Sequence, residues 1–353
     1  VERDPALSRV RSASSGRRCL GGAALLLSAL LAPAGATPAD AARPDVLLIT
    51  LDTTRADALG VAGGDAATPY LDALAARGVR FASAWAAAPV TLPAHASLFS
   101  GRPPGEHGLR ENGLGALSGS VPLLAERFAA AGYRTGAVVA SRILDRRFGL
   151  DRGFAHYDDR MPAERTGEFG YPERDAAAVV DAALAWLGEA GRGANRPPLL
   201  LWVHFYDPHA PYLDPGAPAG APERQRYAGE VARVDRELGR LLAALPSPAG
   251  WLVAAVGDHG EAFGEQGEHG HGLLLQRATL EVPLLFAGPG VPAGRTFRRP
   301  VATANLARTL ARLAAVPAGD LGGEPLGFDA EPPDAPVLHE TWYPASVYGW
   351  SPL

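Results

Sequence analysis

Three uninterrupted apolar runs, "DVLLITLD", "PLLLWVHFYD" and "WLVAAVGD", constrain this chain more than any other feature. They are short, rich in Leu, Val and Ile, and show no alternation with polar residues. A run of this kind predicts a strand buried on both faces, and such strands belong in mainly parallel sheets covered by helices. Amphipathic segments separate the runs in the manner of βαβ units. "TPYLDALAARG" predicts a helix closed by Gly78, and "VPLLAERFAAAG" predicts another. A third helix is expected near residues 174 to 189. Between 222 and 245, Tyr227, Val231, Val234, Leu238 and Leu241 recur at helical spacing. "YRTGAVVA" and "VPLLFAGPG" read as further strands, and "ANLARTLARLAAV" as a closing helix. The expected fold class is α/β, with a mainly parallel central sheet and helices on both faces.

Each of the three leading runs ends near an aspartate: Asp52, Asp207 and Asp258. Ligands of open α/β sheets bind beyond the carboxyl ends of the strands. One aspartate closing a strand is an ordinary turn residue. Three at one rim would repel each other unless a cation or a proton lay between them.

The rest of the composition mainly excludes. All 33 basic residues of the 353 are Arg, so P-loop lysines, Schiff bases and lysine general bases are ruled out. A net charge of -5 without a basic run after residue 20 gives no reason to expect nucleic acid as a partner. The single cysteine, Cys19, lies in the leader, which excludes disulfides and thiolate chemistry from the mature chain. Arg17 and Arg18 precede "LGGAALLLSALLA", and the small residues "AGA" at 34 to 36 suit cleavage. Residues 1–40 therefore read as a signal peptide and leader, with 41–353 as the catalytic domain. A periplasmic or secreted protein without a stable membrane span after cleavage is expected, because the apolar run is too short to span.

The strongest chemical pattern is "GDHGEAFGEQGEHGHG" at 257 to 272. Asp258 and His259 directly follow a buried strand and form an oxygen–nitrogen pair suited to a divalent ion. His269 and His271 follow in a Gly-rich loop able to fold over the same rim. Asp52, in "ITLDTTRADALG", is placed to be a further ligand, whereas Arg55 and Asp57 read as a local ion pair or helix start. His209, in "HFYDPHAPY", is placed to donate to an anionic group or to be satisfied locally. The Gly- and Pro-rich loops 101–120 and 209–222 read as cleft walls. Thr91, in "VTLPAHASLFSG", sits at a loop-to-helix junction. It is either a capping residue or a hydroxyl that a metal activates as a nucleophile.

Taken in order, "DVLLITLDTTRADALG", "PVTLPAHASLFSGRPPGEHGLREN", "HFYDPHAPY" and "GDHGEAFGEQGEHGHGLLLQRATLEVPLLFAGPG" resemble the sulfatase family of the alkaline phosphatase superfamily. The resemblance runs from about residue 44 to the end and implies an alkaline-phosphatase-like sandwich. It implies a metal held by Asp52, Thr91, Asp258 and His259. It places Asn112 where related hydrolases contact a non-bridging oxygen. His209 and His271 fall where the family keeps substrate-binding or leaving-group residues, with a lysine common in place of His271. Members usually continue further, so the chain is expected to stop before the family's C-terminal subdomain.

The departures bear on the chemistry. Sulfatases proper build formylglycine from Cys in a C-x-P-S-R motif, whereas "TLPAH" puts Thr91 for the Cys, Ala94 for the Ser and His95 for the Arg. Thr53 replaces the second acid typical of calcium sulfatases. The resemblance thus implies one divalent metal, Zn, Mn or Ca, with Zn favoured by the Thr nucleophile. The leading expectation is a hydrolase of sulfuric or phosphoric esters acting through a covalent intermediate on Thr91. Its partner would be an anionic ester, either a small molecule or a glycan or lipid headgroup. The alternatives are a phosphoethanolamine- or phosphoglycerol-type transferase or phosphodiesterase, and a non-catalytic metal-containing binding protein. A second zinc bound by Asp207, His209 and His339 is a weaker option.

Overall fold

In the computed structural model, residues 43–162, 173–193, 195–213 and 215–353 are described. The signal-peptide expectation lies outside them. The strands are β1 (Asp45–Leu51), β2 (Val79–Trp85), β3 (Arg134–Val138), β4 (His156–Asp158), β5 (Leu199–Phe205), β6 (Trp251–Gly257), β7 (Ala262–Phe263), β8 (His269–Gly270), β9 (Glu281–Ala287), β10 (Arg295–Phe297) and β11 (Val301–Ala302). The helices are α1 (Pro69–Ala76), α2 (Thr91–Ser100), α3 (Pro104–His107), α4 (Leu124–Ala130), α5 (Ala176–Ala190), α6 (Glu223–Ala243), α7 (Arg277–Leu280), α8 (Leu306–Leu313) and α9 (Tyr343–Tyr348).

The main sheet has the order β10-β2-β9-β6-β1-β5-β3-β4, with β11 also paired to β2. The three apolar runs are its centre: β1 pairs in parallel with both β5 and β6. Because successive side chains alternate between faces, each run feeds two cores. Val46, Leu48, Trp202, Ala254 and Val256 pack under α2, α4 and α8 with Phe99, Phe128 and Leu310. Leu47, Ile49, Leu201, Val203 and Ala255 pack under α1, α5 and α6 with Leu74, Val180 and Leu238. This is the expected α/β sandwich, with helices on both faces of a mostly parallel sheet.

Two strands differ from the expectation. The "VPLLFAGPG" run forms β9, but it is antiparallel to both β6 and β2. Continuous burial of a strand is equally compatible with either direction, so direction is not legible in composition. β2 itself, "VRFASAW", escapes the apolar-run criterion because its residues alternate between buried and half-buried positions. The predicted face of α6 is correct: Tyr227, Val231, Val234, Leu238 and Leu241 are all buried. Asp235, on the same helix, accepts the backbone N–H groups of Tyr70 and Leu71 and so caps α1 from a distance.

Candidate active site

The register of the central strands builds the site. Leu51 lies opposite Gly257 on β6 and Phe205 on β5. Asp52 and Asp258 are therefore level as the next residues of two neighbouring strands. Asp207 is two residues past the end of β5, in the turn beyond the ladder, and does not join the cluster of Asp52, Asp258 and His259. The expectation of three carboxylates around one centre is corrected accordingly. Asp207 instead lines a neighbouring pocket beside Arg233, whose guanidinium is 3.8 Å away. Burial pushes the Asp207 carboxyl up to about 6. Gly257 is required at the rim, because a Cβ there would come 2.7 Å from the Thr54 carbonyl oxygen and 2.8 Å from Val282.

Asp52, Asp258 and His259 do converge, with one ligand atom from each lying within 4.8 Å of the others. His259 Nε2 is 3.8 Å from Asp52 Oδ1 and 3.6 Å from Asp258 Oδ2. Its Nδ1 donates to the Gly260 carbonyl at 3.0 Å, which leaves the lone pair on Nε2, on the side of the two carboxylates. Burial lowers the His259 pKa to about 3, so the ring is neutral, as a ligand must be.

The two carboxylates behave oppositely. Burial opposes the charge of Asp52, but the His204 hydrogen bond and the nearby His259 and His209 hold its pKa well below the usual range. Burial, and then the charge of Asp52, push Asp258 well above it. Asp52 Oδ1 and Asp258 Oδ2 are both buried without a hydrogen-bond partner. Orphaned buried carboxylate oxygens carry a large cost unless a cation satisfies them. The donor set therefore fits a divalent ion held by Asp52, Asp258 and His259.

Thr91 is the first residue of α2, and the extended Val90 is its N-cap, with no side-chain cap bond. The capping alternative is thereby removed. The Thr91 hydroxyl lies 3.4 Å from Asp52 Oδ2 and 3.3 Å from His259 Nε2, at the same centre. Pro93 is tolerated in the first turn, where N–H groups have no intrahelical partner. Gly101 ends the helix in the left-handed region, φ 75°, and donates its N–H to the Ser97 carbonyl.

Asn112 lies beside this helix end, its Oδ1 accepting the Leu92 N–H at 2.8 Å. That bond orients the amide and leaves its NH2 end for another acceptor. Asn112, His209, His271 and Thr91 all line one cleft of about 730 Å³. Glu111 and Tyr212 line it too, so loops 101–120 and 209–222 do form its walls. His209 Nδ1 donates to the Ala210 carbonyl at 2.9 Å, and its ring stacks on Tyr206 at 4.5 Å. The His271 ring centre is 4.4 Å from that of His259 and 5.2 Å from that of His209. His339 lies apart, donating to the Ala86 carbonyl beside Trp85, and joins no metal cluster among the described residues. Arg55 and Asp57 form the expected local ion pair at 2.7 Å, extended by Glu265.

Sequence reasoning missed two layers of support. His204 donates Nε2–H to Asp52 at 3.3 Å, while its Nδ1 accepts the Ala140 N–H at 3.2 Å. A polar His inside an otherwise apolar strand, with the same face parity as Asp52 across the β1–β5 register, was the available signal. The second layer is a chain of bonds. Trp202 Nε1–H donates to Thr50 Oγ1 at 2.9 Å, and that hydroxyl is 3.0 Å from His95 Nε2. His95 Nδ1 donates in turn to the Thr91 carbonyl at 2.8 Å. Burial lowers His95 to about 3, so it carries no charge in the position where the resemblance puts an arginine. His204→Gln is expected to lower metal affinity roughly 10- to 100-fold, as loss of a ligand's orienting partner does. A metal titration giving the wild-type affinity would overturn that role.

A mainly parallel α/β sandwich with a carboxylate–imidazole cluster at its strand ends and a hydroxyl in that cluster is an arrangement able to hold a divalent ion beside an oxygen nucleophile. The family model described as Sulfatase matches residues 44–316, and the chain belongs to the sulfatase family. A sulfatase of Formosa agariphila is 24% identical over 78% of this chain and 70% of its own length. An ulvan-active sulfatase of the same organism is 27% identical over 83% and 66%. The N-acetylgalactosamine-6-sulfatase of Canis lupus familiaris is 27% identical over 75% and 61%. The chain thus spans about two thirds of the length of these curated relatives. Among solved structures, a complex with the substrate D-glucosamine-2-N,6-O-disulfate is similar at TM-score 0.71 and 16% identity, over 85% of this chain and 84% of that one. The phosphonate monoester hydrolase of Silicibacter pomeroyi is similar at TM-score 0.68 and 19% identity, over 88% and 83%. At these identities the structural likeness establishes the fold. No helix of the described residues is long and apolar enough to cross a membrane.

Proposed function

We propose that the chain hydrolyses sulfuric or phosphoric esters through a covalent intermediate on Thr91. The observation that carries this reading is the Thr91 hydroxyl at 3.4 Å from Asp52 Oδ2 and 3.3 Å from His259 Nε2, inside the cluster instead of capping its helix. A divalent ion bound by Asp52, Asp258 and His259 would lower the pKa of that hydroxyl and neutralise charge on the attacked group. One imidazole and a few oxygens suit Zn or Mn better than Ca, which takes six to eight oxygen ligands.

In the first half-reaction Thr91 Oγ1 bonds to sulfur or phosphorus and releases its proton to solvent. The bond to the leaving oxygen breaks, and that oxygen takes a proton from His271. In the second half, water opens the Thr91 ester while His271 Nε2 recovers a proton from it, and Thr91 regains its own. Asn112, oriented by Leu92 N–H, donates to a non-bridging oxygen, and His209 faces the substrate across the cleft. The substrate is an anionic ester, a small molecule or a glycan or lipid headgroup. The sulfated-sugar complex of the structural neighbour supports the glycan form. The arginine-led apolar run supports a periplasmic or secreted location.

The test is turnover of p-nitrophenyl sulfate, p-nitrophenyl phosphate and bis-p-nitrophenyl phosphate after loading with Zn or Mn. Turnover of at least one, lost with chelator and restored by metal, is expected. Stoichiometric metal without turnover of any of the three would replace this reading with that of a metal-containing binding protein.

A further inference from the structure

Glu261 has no role in the site as built so far, yet its side chain is only 1% exposed and both its oxygens are engaged. Oε2 accepts the Tyr212 hydroxyl at 2.9 Å. Oε1 lies 3.0 Å from His271 Nδ1, and because a carboxylate only accepts, Nδ1 bears the proton. The backbone around Glu261 is also fixed, since Arg55 donates to its carbonyl at 2.9 Å. His271 sits on a glycine-rich loop: Gly270 and Gly272 flank it, both at positive φ, and the two-residue β8 ends just before it. A ring on such a loop has several rotamers open to it unless a bonded partner selects one.

We propose that Glu261 is a positioning residue: braced by Tyr212, it holds the Nδ1 edge of His271 and thereby turns Nε2 toward the leaving-group side of the cleft. This rests on the proton-transfer role given above to His271. Glu261 lines the cleft, but one of its oxygens is taken by His271 and the other by Tyr212, so its effect on the reaction runs through the imidazole. Like the Gly260 carbonyl at His259, Glu261 fixes the ring through Nδ1–H; unlike the metal-facing His259, the Nε2 of His271 that faces the reaction carries a second proton, the one it gives to the leaving oxygen. The consequence is selective. A nitrophenolate leaves without protonation, whereas an alkoxide needs the proton, so loss of the positioning affects alkyl esters far more than nitrophenyl esters.

The experiment compares kcat on a nitrophenyl and an alkyl ester of whichever acid the wild type releases, using metal-loaded protein. On the alkyl ester, Glu261→Ala is expected to lose about 10- to 100-fold and His271→Ala about 100-fold or more, with much smaller losses on the nitrophenyl ester and unchanged metal content. The double variant should be no slower than His271→Ala alone, since one residue acts through the other. Glu261→Gln should restore most of the loss, because its carbonyl can accept from His271 and its NH2 can donate to Tyr212. Equal losses on both esters, or losses that multiply in the double variant, would overturn the positioning role. If Glu261→Ala does not fold, Tyr212→Phe removes only the brace; it should show the same alkyl-ester bias, and an unbiased loss would again overturn the proposal. A His271→Ala variant with normal rates on both esters would instead remove the proton-transfer reading of His271.

Discussion

Asp258→Asn is expected to lower metal affinity by at least about 100-fold, more than the loss of an outer partner does, and to abolish turnover with it. The side chain keeps its shape, and Asn Oδ1 can still accept the His259 N–H that Asp258 Oδ1 takes at 2.7 Å. What disappears is the charge at Oδ2, the buried oxygen without a hydrogen-bond partner. Without metal the variant should be no less stable than the wild type, because burial and the charge of Asp52 already push the Asp258 carboxyl toward its neutral form. With metal the two should diverge. Binding stabilises the wild type by about 2.7 kcal/mol at a free concentration 100 times Kd, and the same concentration should stabilise the variant by no more than about 0.4 kcal/mol. Metal analysis of the purified proteins and paired thermal scans check both arms. Unchanged stoichiometry in the variant would remove Asp258 from the ligand set.

Thr91→Ala is expected to cut turnover by at least about three orders of magnitude, or ~4 kcal/mol of transition-state stabilisation, while leaving metal bound. The metal should remain because Asp52, Asp258 and His259 are untouched and form a cluster without the hydroxyl. The local fold should persist too. The Thr91 side chain caps nothing, and the bonds that fix this helix start, Leu92 N–H to Asn112 and His95 to the Thr91 carbonyl, do not involve its hydroxyl. Thr91→Ser keeps the hydroxyl and should keep most of the activity. The direct check is intact mass and peptide mapping after brief exposure to substrate. A sulfo- or phospho-adduct should appear on the Thr91 peptide of the wild type and be absent from Thr91→Ala. Retained activity in Thr91→Ala would assign the nucleophile elsewhere.

The parts of the fold and site legible in sequence are those that depend on local chemistry. Continuous apolar runs can be satisfied only in a sheet covered on both faces, so β1, β5 and β6 and their helical layers followed from composition alone. "GDHG" after such a run marked Asp258 and His259, and the periodicity of 222 to 245 marked the buried face of α6. β2 was not legible because half-buried alternation is a weak signal at seven residues, and the direction of β9 was not because burial carries no polarity. Thr91 as capping residue or nucleophile could not be separated locally, since both readings put a hydroxyl at a helix start.

What the amino-acid sequence determined by itself was the α/β class, the family and the identities of the ligand candidates, because hydrophobic patterning and residue chemistry are local properties. Tertiary structure alone decided which candidates meet. Strand register set Asp52 level with Asp258, while the turn after β5 carried Asp207 into a neighbouring pocket. It brought His204 from the middle of an apolar strand to Asp52, and Glu261 to His271. It also turned the Thr91 hydroxyl into the cluster. A one-residue offset between neighbouring strands reverses the direction of a side chain, and pairing between strands far apart in sequence is what sets that offset.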